Sequence, residues 1–323
     1  MDDDVHDPLS DLYEMYDQRI QSGEIAVRLQ APSVLYHYTN VEGLHGIVGS
    51  RTLRASSAYF LNDSSEIEYG CGIVVEALME WGDANRGSVA PAMKVLGSLK
   101  ENILSDAAQF VRMATIYVSC FCEGGNLLSQ WRAYGQSGGY AIGMFYRGIT
   151  QLKAVGVLDT RLVKVEYKPR VQRKKIHSIL REFVERFEGT PYLASAIGDP
   201  TLFKDTLIFL REVLLEEIVA FKNPAFCEER EWRLVAKPRL VDLRRSIKPA
   251  AEPTQRKFKT NNSVIVPFVD VVPPAEELLP IESVRFGPSL NKFRAKSSLN
   301  YFLSHHCYDD VEVLGSDTPV ILG

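Results

Sequence analysis

No apolar run in this chain approaches the roughly 20 residues that a helix needs to cross a bilayer, so no membrane association is expected. The first residues, with Asp2, Asp3 and Asp4, are acidic and lack the apolar core of a secretory signal. There is no excess of either charge: the formal net charge is −4 over 323 residues. A global basic field that would hold nucleic acid by counterion release is therefore excluded. Cysteine is sparse and odd in number, with five at Cys71, Cys120, Cys122, Cys227 and Cys307. Cys120-x-Cys122 is too tight for a zinc clip, and reduced thiols in a cytoplasmic protein are expected. No P-loop, G-x-S-x-G or H-E-x-x-H motif and no internal repeat occurs.

The remaining composition is that of an ordinary globular chain, 46% hydrophobic and 24% charged, long enough to bury a sizeable core without staples. Leu9, Leu12, Tyr13 and Tyr16 suggest one or two helical turns in a polar N-terminal extension, residues 1–31. Residues 32–323 predict a single domain. Val34 to Thr39 predicts a strand. Asn40 predicts the cap of a short helix carrying Leu44, Ile47 and Val48 and stopped by Gly49.

Asp63-Ser64-Ser65-Glu66 has the form of a capping box. It opens a helix with Ile67, Cys71, Val74, Leu78 and Trp81 on one face. Another helix is expected over 91–113, burying Val95, Leu96, Leu99, Ile103, Leu104 and Phe110. Leu127 to Tyr134 reads as a short helical or irregular piece. Further strands are expected at 115–122, 140–145, 162–167, 232–236, 264–269, 282–286 and 310–314. Helices are expected at 173–187, 201–222 and 290–304. The helical stretches of about 64–113 and 173–222 read as insertions. Strands and helices do not alternate around a glycine phosphate loop, so the expected class is α+β rather than doubly wound.

Several residue groups suit chemistry. Glu231 opens an expected strand, and Glu229, two residues earlier, points to the same side. Such a pair can aim two carboxylates into one cleft, one holding a hydroxyl and the other deprotonating an acceptor. The same glutamates also suit surface ion pairs with Arg230 and Arg233. His37 faces away from Tyr36 and Tyr38, as a neutral imidazole for a ribose hydroxyl or as a satisfied core histidine.

Trp131, Arg132 and Tyr134 bring together stacking faces and a guanidinium suited to phosphate oxygens, and they suit a core tryptophan beside a loop equally well. Leu61-Asn62-Asp63-Ser64 offers a hydroxyl or anion site, or simply a cap. Lys168 to Lys175 forms a local basic face, and His305-His306 complements a helix end. A weaker reading groups Glu229, Glu231 and Asp63 around a metal in a nucleic-acid-processing enzyme.

Leu35-Tyr36-His37-Tyr38-Thr39, Leu61-Asn62-Asp63 with Glu66, Trp131-Arg132-Ala133-Tyr134-Gly135 with Gly139, Glu229-x-Glu231-Trp232-Arg233 and Phe286-Gly287-Pro288 occur in that order. On these pieces, which span roughly residues 33 to 316, the chain resembles a bacterial family called domain of unknown function 2971. The opening block, His37 and Thr39 with a short helix and then Gly49 to Leu53, also resembles the DarT-type and RNA 2′-phosphotransferase branches of the ADP-ribosyltransferase superfamily. The Glu-x-Glu strand is similar to the catalytic strand of arginine-directed members.

That resemblance implies a split, strongly bent mixed sheet with inserted helices, clasping NAD as substrate. It implies His37 on the adenosine ribose, Tyr134 or Trp131 near nicotinamide, and Glu231 as catalytic carboxylate with Glu229 positioning the acceptor. Tyr38, Thr39, Asn62, Ser119 and Arg132 complete the implied NAD-binding set. Ser119 in Tyr117-Val118-Ser119-Cys120 only partly matches the superfamily's Ser-Thr-Ser strand. The implied activity is mono-ADP-ribosyl transfer to a macromolecule (DNA, RNA or protein), as a toxin or antiphage effector. The alternative is a nucleotide-sensing or interaction module on the same fold, without transfer.

Overall fold

A computed structural model gives the structure of residues 9–29, 31–60, 65–106, 116–134, 139–156, 158–195, 198–238, 256–261, 264–275, 277–288 and 291–318. The β-branched and aromatic stretch Val34–Thr39 forms strand β1, as its alternation predicts. The Asn40 side chain accepts a hydrogen bond from Gly43 N at 2.8 Å and starts helix α2 (Val41–Ser50), which follows helix α1 (Ser10–Arg28) in the chain. Gly43 is required there, since a Cβ at that position would stand 1.9 Å from Thr39 Oγ1. Gly49 does not stop α2. The helix runs through it to Ser50, and Arg51, in the left-handed region at φ 54°, ends it.

The remaining strands are β2 (Leu53–Ser57), β3 (Tyr117–Cys122), β4 (Tyr140–Phe145), β5 (Lys153–Ala154), β6 (Leu158–Lys164), β7 (Glu231–Pro238), β8 (Lys257–Asn261), β9 (Val264–Val272), β10 (Ile281–Phe286) and β11 (Glu312–Gly315). They form one mixed sheet in which only β10 and β11 run parallel among the described pairs. Its backbone order is β11-β10-β4-β1-β3-β2-β9-β5, with β7 on β3, β6 on β7 and β8 on β9.

Strand β3 is the junction. One edge pairs along its whole length with β7. The other edge meets β1 only at Tyr36–Cys122 and β2 only at Ser56–Val118 and Ser57–Tyr117. The sheet therefore parts between β1 and β2. Backbone groups left there need other partners. His37 Nδ1 supplies one at 2.9 Å from the Cys120 carbonyl, and Ser119 Oγ donates to the Arg54 carbonyl at 2.9 Å.

Helices cover both faces. On one side lie α1, α3 (Ser65–Ala84), α4 (Pro91–Ser105), α7 (Pro169–Gly189), α8 (Pro191–Ser195) and α9 (Pro200–Ile218), with Leu12, Val74, Leu99, Phe183 and Leu214 in one cluster that reaches Val118 and Val235 of the sheet. On the other, α2 and α10 (Lys292–His305) pack with Leu35, Phe121, Trp232 and Val284. The short α5 (Leu128–Tyr134) sets Trp131 against Tyr38, Cys122 and Ala141, and α6 (Tyr146–Ile149) follows β4. Mixed α+β architecture is thus observed.

Several local expectations change. The N-terminal helix has 19 residues rather than one or two turns, because Leu9, Leu12, Met15 and Tyr16 all reach the core. Among the described residues α4 ends at Ser105, and Leu104 is 57% exposed, not buried; Phe110 lies outside the described residues. Strand β6 begins four residues before the expected Leu162 because Leu158 to Arg161 pair with Val235 to Pro238. Beyond Lys164 only an isolated bridge, Glu166 to Phe221, continues it. Strands β5 and β8 were not expected at all.

Candidate functional site

Glu229 ends a short 3-10 helix (Pro224–Glu229), Arg230 turns at φ 42°, and Glu231 is the first residue of β7. The two carboxylates do converge. Lys222 Nζ stands 2.7 Å from Glu229 and 2.9 Å from Glu231, and also 2.9 Å from Glu66 of α3. Arg233 holds Glu231 through Nε at 2.8 Å and Nη2 at 3.1 Å. Its Nη2 also donates to Glu66 at 2.6 Å, and its Nη1 to the Val219 carbonyl at 2.6 Å. The Glu231 amide donates to Tyr167 Oη at 2.9 Å. Three carboxylates thus share two cations in the interior, fixing β7, α3 and the end of α9 together.

Burial alone would raise the Glu231 pKa. The Arg233 guanidinium, Lys222 and a Cys120 hydrogen bond outweigh it and hold the carboxyl down at about 2. Glu229 goes the other way. Its partial burial, helped by Glu231 and Glu66, pushes it above the usual carboxylate range despite Lys222. The paired environments separate two acids, one held as a carboxylate and one whose proton is lost at higher pH than an ordinary carboxyl's. Burial, then the charges of Cys120, Glu231, Cys122 and Glu229, raise the phenol of the partly exposed Tyr134.

Ion pairing of the glutamates with neighbouring arginines holds only in part. Arg233 is the partner, but in the core at 1% exposure, while Arg230 is exposed and lies 3.9 Å from Glu123. His37 does not meet Glu231. Cys122 pairs with Glu231 and Phe121 with Trp232, so Glu231 shares the face of Cys122. The His37 ring lies 5.6 Å from that of Phe121, on the opposite face. Burial, and after it Lys259, lowers the His37 pKa against the Cys120 carbonyl bond, which keeps the imidazole neutral.

The other expected residues scatter. Tyr38 is in the core, its hydroxyl donating to the Gly124 carbonyl and accepting from Leu127 N, both at 2.9 Å. Trp131 is buried, with Nε1 donating to Asn126 at 2.9 Å, while Arg132 is exposed on the outside of α5. Thr39 is partly buried against α2, and Ser119 fills the parted sheet. Asn62, Asp63 and Ser64 lie outside the described residues, and Glu66, the last member of the expected capping box, is bound to Lys222 and Arg233.

Lys222, Tyr167 and Glu66 were not recognised as members of this cluster. A signal existed for Lys222: it follows the short apolar run Ile218-Val219-Ala220-Phe221, and a lysine buried at such a place needs acidic partners. Among the described residues no His, Cys, Asp or Glu group of three could hold a metal ion, and no helix is long and apolar enough to cross a membrane. All five cysteines are free.

Residues 130–234, from α5 to the middle of β7, match the profile of a family described as "Protein of unknown function (DUF2971)". The matched stretch contains Trp131, Arg132, Tyr134, Tyr167, Lys222, Glu229, Glu231 and Arg233. No curated protein and no solved structure matches the chain.

Proposed function

We propose that the chain transfers ADP-ribose from NAD to a macromolecule, with the chemistry on the Glu229, Glu231 and Tyr134 side of the sheet. The observation that carries this reading is the carboxylate at the first residue of β7, kept ionised by Arg233 and Lys222 beside a second acid of raised pKa. Two further features support it: β7 is separated from the histidine strand β1 by the single strand β3, and the sheet parts next to that histidine. Both suit an ADP-ribosyltransferase-like split sheet.

In the reaction, the bond between ribose C1′ and the nicotinamide nitrogen breaks and nicotinamide leaves with the bonding pair. An acceptor oxygen or nitrogen forms the new bond to C1′, and its proton passes to Glu229. The fixed charge of Glu231 stabilises the positive charge that develops on the ribose. The Tyr134 ring suits the nicotinamide face and the exposed Arg132 suits the pyrophosphate. The His37 and Glu231 grip on opposite ends of one dinucleotide is given up, because the two side chains face opposite ways. His37 and Ser119 act as positioning residues of the parted sheet.

A second reading has its own observation. Glu231 is only 3% exposed and both its oxygens are already paired, which suits a nucleotide-sensing or interaction module without transfer. Nicotinamide release from NAD, together with NAD calorimetry, separates the two. Transfer predicts release by the natural chain and a loss of about 10²-fold in Glu229→Gln with an unchanged melting temperature. Binding without release leaves only the sensor, and absence of binding removes both.

A further inference from the structure

The basic segment that opens α7 stands beside this cluster. Lys168, Arg170, Arg173 and Lys174 are all exposed. Arg173 approaches Glu76 at 3.7 Å, and the other three make no ion pair among the described residues. The acids bonded to this stretch of α7 are Glu76, Glu166, whose carboxylate accepts from Lys168 N at 2.8 Å, Glu217, paired with Lys175 at 2.8 Å, and Glu80, 2.8 Å from His177. No acid lies in the first turn of α7. Stacking cations against the positive end of a helix dipole costs stability, so packing gives no reason for the arrangement.

The segment is tied to the candidate site by a buried side chain. Gln172 Nε2 donates to the Glu166 carbonyl at 2.6 Å and to the Lys222 carbonyl at 3.0 Å, while Tyr69 Oη donates to its Oε1 at 2.7 Å. Lys222 is the lysine that holds Glu229 and Glu231. Tyr167, next to Lys168, accepts from the Glu231 amide. The partly exposed ring of Phe226 lies 5.1 Å from Lys222 Nζ.

Exposed cations on a helix start that is bonded through Gln172 to Lys222, which in turn meets the Phe226 ring, match the chemistry of a nucleic-acid strand, whose phosphates take the charges and whose unpaired bases stack on such a ring. We propose that this face receives the phosphate backbone of a single nucleic-acid strand. The macromolecule presented to Glu229 would then be a nucleic acid, a part of the proposal that rests on the transfer reading above. The overall charge of −4 is no obstacle, because the cations are concentrated where the strand would lie.

The test is fluorescence anisotropy of a labelled single-stranded oligonucleotide, without NAD, over a range of salt. The variant Lys168→Glu/Arg170→Glu/Lys174→Glu is compared with Lys292→Glu/Arg294→Glu/Lys296→Glu, an equal charge reversal at the exposed start of α10. Both reversals place acids where the helix dipole favours them, so melting temperatures should hold. The first should weaken binding roughly tenfold or more and reduce the log–log salt slope by about 2, and the second should change neither. The proposal is overturned if the natural chain does not bind the strand, or if both reversals weaken binding equally. Retained strand binding without nicotinamide release would leave this surface standing and remove the transfer reading alone.

Discussion

Arg233 Nε lies 2.8 Å from Glu231 Oε1, two residues along the same strand, and neither side chain is more than 4% exposed. A pair so placed is costly to bring out of water and costlier to break, since the survivor stays charged in the interior. Glu231→Gln should therefore lose about 3–5 kcal/mol of stability in urea unfolding. Combining it with Arg233→Met should lose less than the two single changes added together. Additive losses would mean that the pair is not coupled.

Acid stability follows from the same carboxyl. Its folded pKa is about 2 against an ordinary 4.5, so it is depressed by folding. Its stabilising contribution is present above 4.5 and is lost as pH falls toward about 2. Thermal melts between these limits should fall steeply for the natural chain and more gently for Glu231→Gln. Parallel curves would count against the assignment.

Glu229 has the opposite shift, and its effect should appear in activity. Nicotinamide release should rise with pH as this acid loses its proton, with an apparent pKa above the ordinary 4.5. Glu229→Gln should flatten that limb. A limb that survives the substitution belongs to another group.

The contact between Gly43 and Thr39 permits a test of the fold alone. Gly43→Ala puts a methyl group where the Thr39 hydroxyl stands and should cost about 1–3 kcal/mol, although alanine is the better helix former. Thr39→Ala in the same chain should restore most of the loss in melting temperature. Failure to restore it would place the strain elsewhere.

Much of the sheet was legible because its strands carry strong local signals. Alternation with β-branched and aromatic residues fixes β1 and β4 at their observed ends. The helical period likewise finds the buried face of α3 in Ile67, Cys71, Val74 and Leu78. Strand β8 was illegible because Lys257-Phe258-Lys259-Thr260-Asn261 is largely exposed and owes its conformation to pairing with β9. The length of α1 was hidden for a similar reason: polar residues dominate a helix that docks through a few apolar ones.

The candidate site was half legible. That Glu229 and Glu231 converge follows from their spacing, but the lysine that unites them is close only after α9 has folded back. The relation of His37 to Glu231 depends on register across β3, where a shift of one residue exchanges the faces. Sequence spacing carries no information about that register. The side chains that fill the parted sheet are equally hidden, because the need for them arises only where β1 and β2 diverge.

Strand β3 touches three other strands, and β7, paired on both sides from Trp232 to Ala236, carries the ionic cluster to the helices. The central amides of β7 cannot open to water without separating β3 and β6 and displacing the Lys222 contacts at the same time. Their deuterium uptake should report the global unfolding reaction. Amides of β8, whose Lys257, Phe258 and Thr260 are exposed, should exchange through local opening, so one labelling experiment would read the two regimes in a single molecule.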